Sequence, residues 1–247
     1  MLKKKIPLFL ALVLLTGCGG KKEIKQDFQE APIAIEEAYN LFTTATDTVK
    51  NAETQFIHNK TSVNMGNSEI DPATSMAFTI DATINKSIKD QKDYAEVKVI
   101  QTDYDVATET TGTLKGNSYT YVQNNTENAE IKTYDELLQE LLVYDINIDT
   151  NYITEATMQQ NSQNYKQVNI TIDNTSGKDF VQTVMPELKN TMDIDTDIRY
   201  DNIYVEYLLD NKNELIYTIF NIQVTFLNGD NEIPYTINIE REFTKMD

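Results

Sequence analysis

Hydrophobic positions recur at two periods along this chain, and the switches between the periods divide it into elements. From Pro32 to Lys50 the apolar residues Ile35, Ala38, Tyr39, Phe42, Ala45 and Val49 are spaced by threes and fours. That is one stripe on a helix of about five turns. Pro32 suits its first turn, where a missing N–H costs nothing. Glu36 and Glu37 near the start and Lys50 near the end suit the helix dipole. From Thr54 the period falls to two. Phe78, Ile80, Ala82 and Ile84 alternate with Thr79, Asp81 and Thr83, and Val97 and Val99 alternate with Glu96 and Lys98. Turn signals at Met65-Gly66-Asn67, Lys89-Asp90-Gln91-Lys92, Asp103-Tyr104-Asp105, Lys115-Gly116-Asn117 and Asn124-Asn125 separate the runs. Strands joined by short turns read as an antiparallel meander, apolar on one face only. Val106 to Thr113, poor in large apolar residues, reads as an edge or as a strand over a shallow part of the core.

Helical spacing returns at Tyr134, Leu137, Leu138, Leu141 and Leu142, with Thr133 or Asp135 as cap and Glu136 in the first turn. A second short helix is predicted over Tyr152 to Gln160. Val168, Ile170 and Ile172 make another alternating strand. Phe180, Val184, Leu188 and Met192 then form a third amphipathic segment, which Pro186 kinks or delays. Three strands close the chain, through Ile203–Leu209, Tyr217–Phe226 and Ile233–Phe243. A parity shift near Phe220 predicts a bulge there. No internal repeat, low-complexity tract or interior linker divides the chain, so residues 31 to 247 read as one domain.

Residues 1 to 20 follow a different logic. Lys3, Lys4 and Lys5 precede an apolar run from Ile6 to Leu15, followed by Thr16, Gly17 and Cys18. This is the order of a secretory signal. The run is too short to cross a bilayer about 30 Å thick as a stable helix. Leu15-Thr16-Gly17-Cys18 resembles the bacterial lipoprotein box. That resemblance implies cleavage between Gly17 and Cys18 and diacylation of Cys18. An ordinary cleaved signal or a short anchor is the competing reading. Against it, Cys18 is the only cysteine of the chain and stands where the box requires one. Residues 1–17 are then a signal peptide, and residues 18–30 a lipidated cysteine with a polar tether.

Removing the signal takes three lysines and no acid, which moves the formal charge from −18 to −21. So acidic a chain repels nucleic acid and anionic headgroups and stands off the membrane. A lone cysteine allows no internal disulfide, and the apolar fraction is that of a globular protein.

The order helix, long meander, helix pair, strand, helix and three long strands resembles the LolA/LolB-type lipoprotein carriers and the LppX/LprG-type lipid-binding lipoproteins. It also resembles small exported lipoproteins of Gram-positive bacteria with the same layout. The segment Lys115-Gly116-Asn117-Ser118-Tyr119-Thr120-Tyr121-Val122 shares in this likeness. The resemblance implies an α+β fold: a strongly curved antiparallel β-sheet, or half-barrel, with amphipathic helices packed on its concave face. It further implies an apolar groove for acyl chains. The groove-lining candidates are Phe42, Phe78, Ile80, Leu138, Leu142, Val184, Leu188, Tyr207, Val224 and Ile237.

Catalytic sets fare worse. His58 is the only histidine, and no Gly-x-Ser-x-Gly accompanies it. One histidine and one lipidated cysteine make a poor zinc site. Asp193, Asp195 and Asp197 alternate as in a calcium loop, but Ile198 and Tyr204 stand where Gly and an acid belong. Asp145, Asn147 and Asp149 fail likewise at Thr150 and Ala156. There is no Gly-rich phosphate loop, and no Trp offers a sugar platform. Fourteen tyrosines remain, some paired on one strand parity as Tyr119 and Tyr121 are, which serves amphipathic packing or a cavity wall. The expectation is a non-enzymatic, lipid-anchored protein on the extracytoplasmic face of the cell membrane. It would need no cofactor or metal, with the membrane and a lipid or other hydrophobic ligand as partners. The alternative is an envelope interaction or sensor domain with a filled core, binding a protein or peptide.

Overall fold

A computed structural model describes residues 24–65, 76–89, 92–103, 106–141, 150–173, 197–228 and 231–244. Gly17, Cys18, Leu142, Val184 and Leu188, with the helix read around the last two, lie outside the described residues. So do Asp145, Asn147, Asp149, Asp193 and Asp195.

The described chain runs β1 (Gln29–Ala31), α1 (Ile35–Lys50), β2 (Gln55–Met65), β3 (Met76–Lys89), β4 (Lys92–Asp103), β5 (Val106–Lys115), β6 (Ser118–Gln123) and β7 (Thr126–Ile131). It continues with α2 (Tyr134–Glu140), a 3-10 turn (Thr150–Tyr152), β8 (Ile153–Gln160), β9 (Lys166–Ile172), β10 (Asp197–Leu209), β11 (Leu215–Asn228) and β12 (Asn231–Thr244). All twelve strands form one antiparallel sheet in the order β1-β8-β9-β10-β11-β12-β2-β3-β4-β5-β6-β7. Two meanders, β2 to β7 and β8 to β12, meet at the centre, where β12 pairs with β2. The topology places α1. It links edge strand β1 to central strand β2, so it must cross the strands between them.

The cross-strand register puts every buried apolar strand residue of both core clusters, except at bulges, on one parity and so on one face. Examples run in rows, such as Ile170, Val205, Phe220 and Ile239, or Ile57, Ile84 and Val97. Both helices pack on that face. Ala38, Phe42 and Ala45 of α1 join β8 to β12 and Val63, whereas Tyr134 and Leu137 of α2, with its C-cap Leu141, join β2 to β6. Phe78 and Phe243 pack against both clusters. Thr133 caps α2, its hydroxyl accepting from the Glu136 N–H while the Glu136 carboxylate accepts from the Thr133 N–H, a full capping box.

The turn signals sit where the strands end. Asn124 and Asn125, at φ 51° and 58°, close β6 to β7 as the two-residue turn that requires two left-handed residues.

Several expectations change. The predicted helix over Tyr152 to Gln160 is strand β8. A register shift between Ile153 and Glu155 puts Ile153 and Ala156 on the same face of a strand, and that spacing of three imitates a helix. Pro32 stands ahead of α1 rather than in its first turn, because Ala31 is still paired to Met158 and Ala34 is the N-cap. There is no bulge at Phe220. The β11–β12 register is unbroken from Tyr217, which simply faces away from the helices, and the irregularity lies between Leu208 and Leu209 opposite. Of the two readings of Val106 to Thr113, the edge gives way and the strand over a shallow part of the core stands: the segment belongs to interior strand β5, exposed or half-buried until Leu114, and the edge on that side is β7. The residues read as tether are engaged before they reach β1. Asn161 Nδ2 donates to the Lys25 carbonyl at 2.8 Å, and Ser162 N–H to Asp27 at 3.2 Å.

Candidate functional site

The helix-covered face holds most of the groove candidates. Phe42, Tyr207, Val224 and Ile237 lie in the cluster under α1, Ile80 and Leu138 lie in or against the one under α2, and Phe78 touches both. The structure thus brings together the described candidates on a single surface. Under α1 they pack directly on one another. The Phe42 ring lies 5.3 Å from Tyr207 and 6.3 Å from Phe220, in tilted and edge-on arrangements. Tyr207 is fully buried, and its hydroxyl donates to the Ala38 carbonyl of α1 at 2.6 Å. Burial, with a smaller contribution from Glu37, raises the pKa of this phenol, so it stays a donor.

Sequence reading missed a polar seam between the two clusters. Thr218, Arg241 and Asn59 are direct cross-strand neighbours on β11, β12 and β2, on the same face as the apolar rows. All three are buried, with Thr61 beside them. Arg241 Nε donates to Asn59 Oδ1 at 2.9 Å, and its guanidinium lies 5.8 Å from the Phe220 ring. Asn59 Nδ2 donates to the Leu141 carbonyl at 3.3 Å, tying the C-terminus of α2 to the centre of the sheet. Thr218 Oγ1 is buried with no hydrogen-bond partner among the described residues. The signal was present in the sequence. Asn59, Thr61 and Arg241 occupy the parity that Ile57, Val63, Ile239 and Phe243 mark as apolar.

A cleft of about 460 Å³ lies beside α1, lined by Ala34, Glu36, Glu37, Asn40, Leu41, Thr44 and Asn213. Its lining comes from α1 and the residue before it, with Asn213 of the β10–β11 turn, and Leu41 also packs against the core cluster.

The opposite face is mostly polar, though Leu208 is buried on it. His58 sits there in β2, with Nε2 3.0 Å from Asp81 Oδ1 and Nδ1 4.0 Å from Glu242 Oε2. Glu242 first, and Asp81 with it, raise its pKa against the opposing effect of burial. Among the described residues no hydroxyl or thiol nucleophile pairs with it, and its partners Asp81 and Glu242 make the arrangement a cross-strand ion pair. Glu206 on the same face is buried and accepts from Gln167 Nε2 at 2.9 Å, and burial raises its pKa. Among the described residues no cluster of three or more His, Cys, Asp or Glu is arranged to hold a metal ion. No described helix is long and apolar enough to cross a membrane.

No protein-family profile matches the sequence, and no curated protein matches it. Among solved structures, LprF from Mycobacterium bovis is similar over 85% of this chain and 92% of its own, at 12% identity and a TM-score of 0.40. The 12:0-ACP thioesterase from Umbellularia californica overlaps 86% of this chain and 85% of its own, at 9% identity and a TM-score of 0.15. Similarity this weak assigns no family to the chain.

Proposed function

We propose that this protein is a membrane-anchored extracytoplasmic lipoprotein that binds a lipid or similar hydrophobic ligand between its sheet and its helices. One observation carries the reading: a twelve-stranded antiparallel sheet collects its apolar residues on one face. Twelve strands about 4.8 Å apart span roughly 50 Å, whereas a helix with its side chains is only about 10–12 Å across. A twisted open sheet of more than about 10 strands curls. Curling toward the helices would give the half-barrel and leave an apolar trough between its walls. The buried seam of Asn59, Thr61, Thr218 and Arg241 supports the same reading, since ligand sites in apolar clefts are oriented by a few polar groups. Cys18, with Gly17 before the cut, would supply the anchor, and Leu142, Val184 and Leu188 would complete the groove lining.

A second reading has its own support. Phe42, Tyr207 and Phe220 close tightly beneath α1, which suits an interaction or sensor domain with a filled core.

Native mass spectrometry of the chain with Cys18→Ser, purified from a membrane-rich lysate, separates the two. Co-purified lipid of defined mass supports the carrier. A ligand-free protein that also fails to take up fatty acids or phospholipids in vitro overturns it. The anchor has its own test. Alkyne-palmitate fed to expressing cells should label the wild-type chain but not Cys18→Ser, and equal labelling of both refutes it.

A further inference from the structure

The two edges of the sheet differ. Edge strand β1 is Gln29–Ala31, followed by Pro32 and flanked by the Lys25 and Asp27 contacts to the turn at Asn161–Gln163. Short length and proline are the usual protections of an edge. Edge strand β7 has neither, and its register with β6 is continuous from Thr126 to Ile131.

We infer that β7 is a docking edge that takes a cationic, extended peptide segment of another protein as an added strand. The hydrogen-bond pattern comes first. The two-residue turn makes Gln123 and Thr126 the closing bonded pair. Lys132 N–H donates to the Asn117 carbonyl at 3.0 Å, continuing the same parity at the far end. Antiparallel bonding alternates, so the N–H and C=O groups of Glu127, Ala129 and Ile131 point to the open side.

Side chains supply the selectivity. Ile131 is 92% exposed, the most exposed large apolar residue among those described. It shares a face with Ala129 and Glu127. Glu130, on the other face, already accepts from Tyr121 at 2.7 Å and pairs with Lys132 at 2.9 Å. Among the described residues Glu127 has no ion pair. The β6–β7 hairpin carries two acids and no base. An incoming strand with a cation opposite Glu127 and apolar residues beside Ala129 and Ile131 would complete both the ladder and the charge.

Two observations choose a peptide over a second copy. The edge is about 20 Å long and one strand deep, too small for the roughly 1,000 Å² that a stable protein–protein interface buries. A second copy would also bring another −18 charge alongside the first.

The test uses the full chain and fluorescent peptides of alternating Lys and Val, with an alternating Glu and Val counterpart and a backbone N-methylated Lys and Val version. Anisotropy titrations at low ionic strength should show binding of the basic peptide only. Ala129→Pro removes an outward N–H without breaking a β6–β7 bond and should weaken binding about tenfold or more. Glu127→Lys should weaken it by about fivefold, the effect shrinking with added salt. The N-methylated peptide should fail against the wild-type chain, a result independent of how any variant folds. Equal binding to Ala129→Pro, equal binding of acidic and basic peptides, or no binding overturns the proposal. So does sedimentation showing a dimer that Ala129→Pro dissolves, which would make the occupant a second copy.

Discussion

Gly112 in β5 offers a test of the packing under α2. A Cβ added there would lie 2.5 Å from Tyr119 Oη, 2.6 Å from Cε2 and 2.7 Å from Cζ. Atoms of this kind prefer separations of about 3.5–4.0 Å, so the Tyr119 ring would have to move. It is held on several sides. The residue is 5% exposed, its ring stacks on Tyr121 at 5.3 Å, and Lys132 Nζ sits 5.2 Å from the ring centroid. Forcing atoms into such a site costs about 1–3 kcal/mol. One gain opposes this. Gly112 does not have positive φ, and replacing glycine at a compatible backbone position stabilises by about 0.4–1 kcal/mol through the unfolded chain. Gly112→Ala should therefore destabilise by roughly 1–2 kcal/mol. The assay is urea unfolding followed by circular dichroism for wild type, Gly112→Ala, Tyr119→Ala and the double variant. With the ring gone, the same glycine replacement should become neutral or stabilising by up to about 1 kcal/mol. An unchanged penalty in the Tyr119→Ala background, or no penalty in the wild type, refutes the reasoning, since Tyr119 would then not lie over Gly112.

Other outcomes follow from the same structure. Phe42→Ala should cost about 3–5 kcal/mol in urea unfolding, because the ring is buried against Tyr207 and Phe220; a loss under 1 kcal/mol would mean α1 is not seated on the sheet. Thr133→Ala should cost about 1 kcal/mol by removing the capping box of α2, and Thr133→Ser should restore most of it. His58 has a folded-state pKa above its unfolded value of 6.5. Its stabilisation is therefore full below that value and disappears as pH rises through the raised one. With the side chain 33% exposed, the effect stays under about 1 kcal/mol. Unfolding free energies of wild type minus His58→Asn, measured from mildly acid to mildly alkaline pH, should fall across that window, and a flat difference counts against the ion pair.

Much of the architecture follows from local pattern. Period-two alternation defines β3, β4 and the three long C-terminal strands because each turns its core-cluster residues to one face, and a strand with one apolar face must alternate. Asn124-Asn125 and Lys115-Gly116-Asn117 mark hairpins because few residues accept positive φ. Thr133 with Glu136 announces the start of α2 through backbone donors that need partners. Where local pattern misled, a non-local cause intervened. Pairing with β9 and a bulge made β8 look helical at Ile153 and Ala156, and pairing of Ala31 with Met158 kept Pro32 outside α1. The groove candidates were legible as apolar positions, but their division into a cluster under α1 and another under α2 was not.

The sequence by itself determined most of the strand and turn series, the two described amphipathic helices and the expectation of a lipid-anchored exported domain. Each of these depends on residues close together in the chain. Only the tertiary structure decided that β12 closes against β2 and that β1 and β7 are the edges. It alone brought Thr218, Arg241 and Asn59 into one buried seam. Arg241 and Asn59 are 182 residues apart in sequence, and no periodicity reaches that far. Strand order is set by which edges find each other once both meanders bury the same face, and that is a property of the whole sheet.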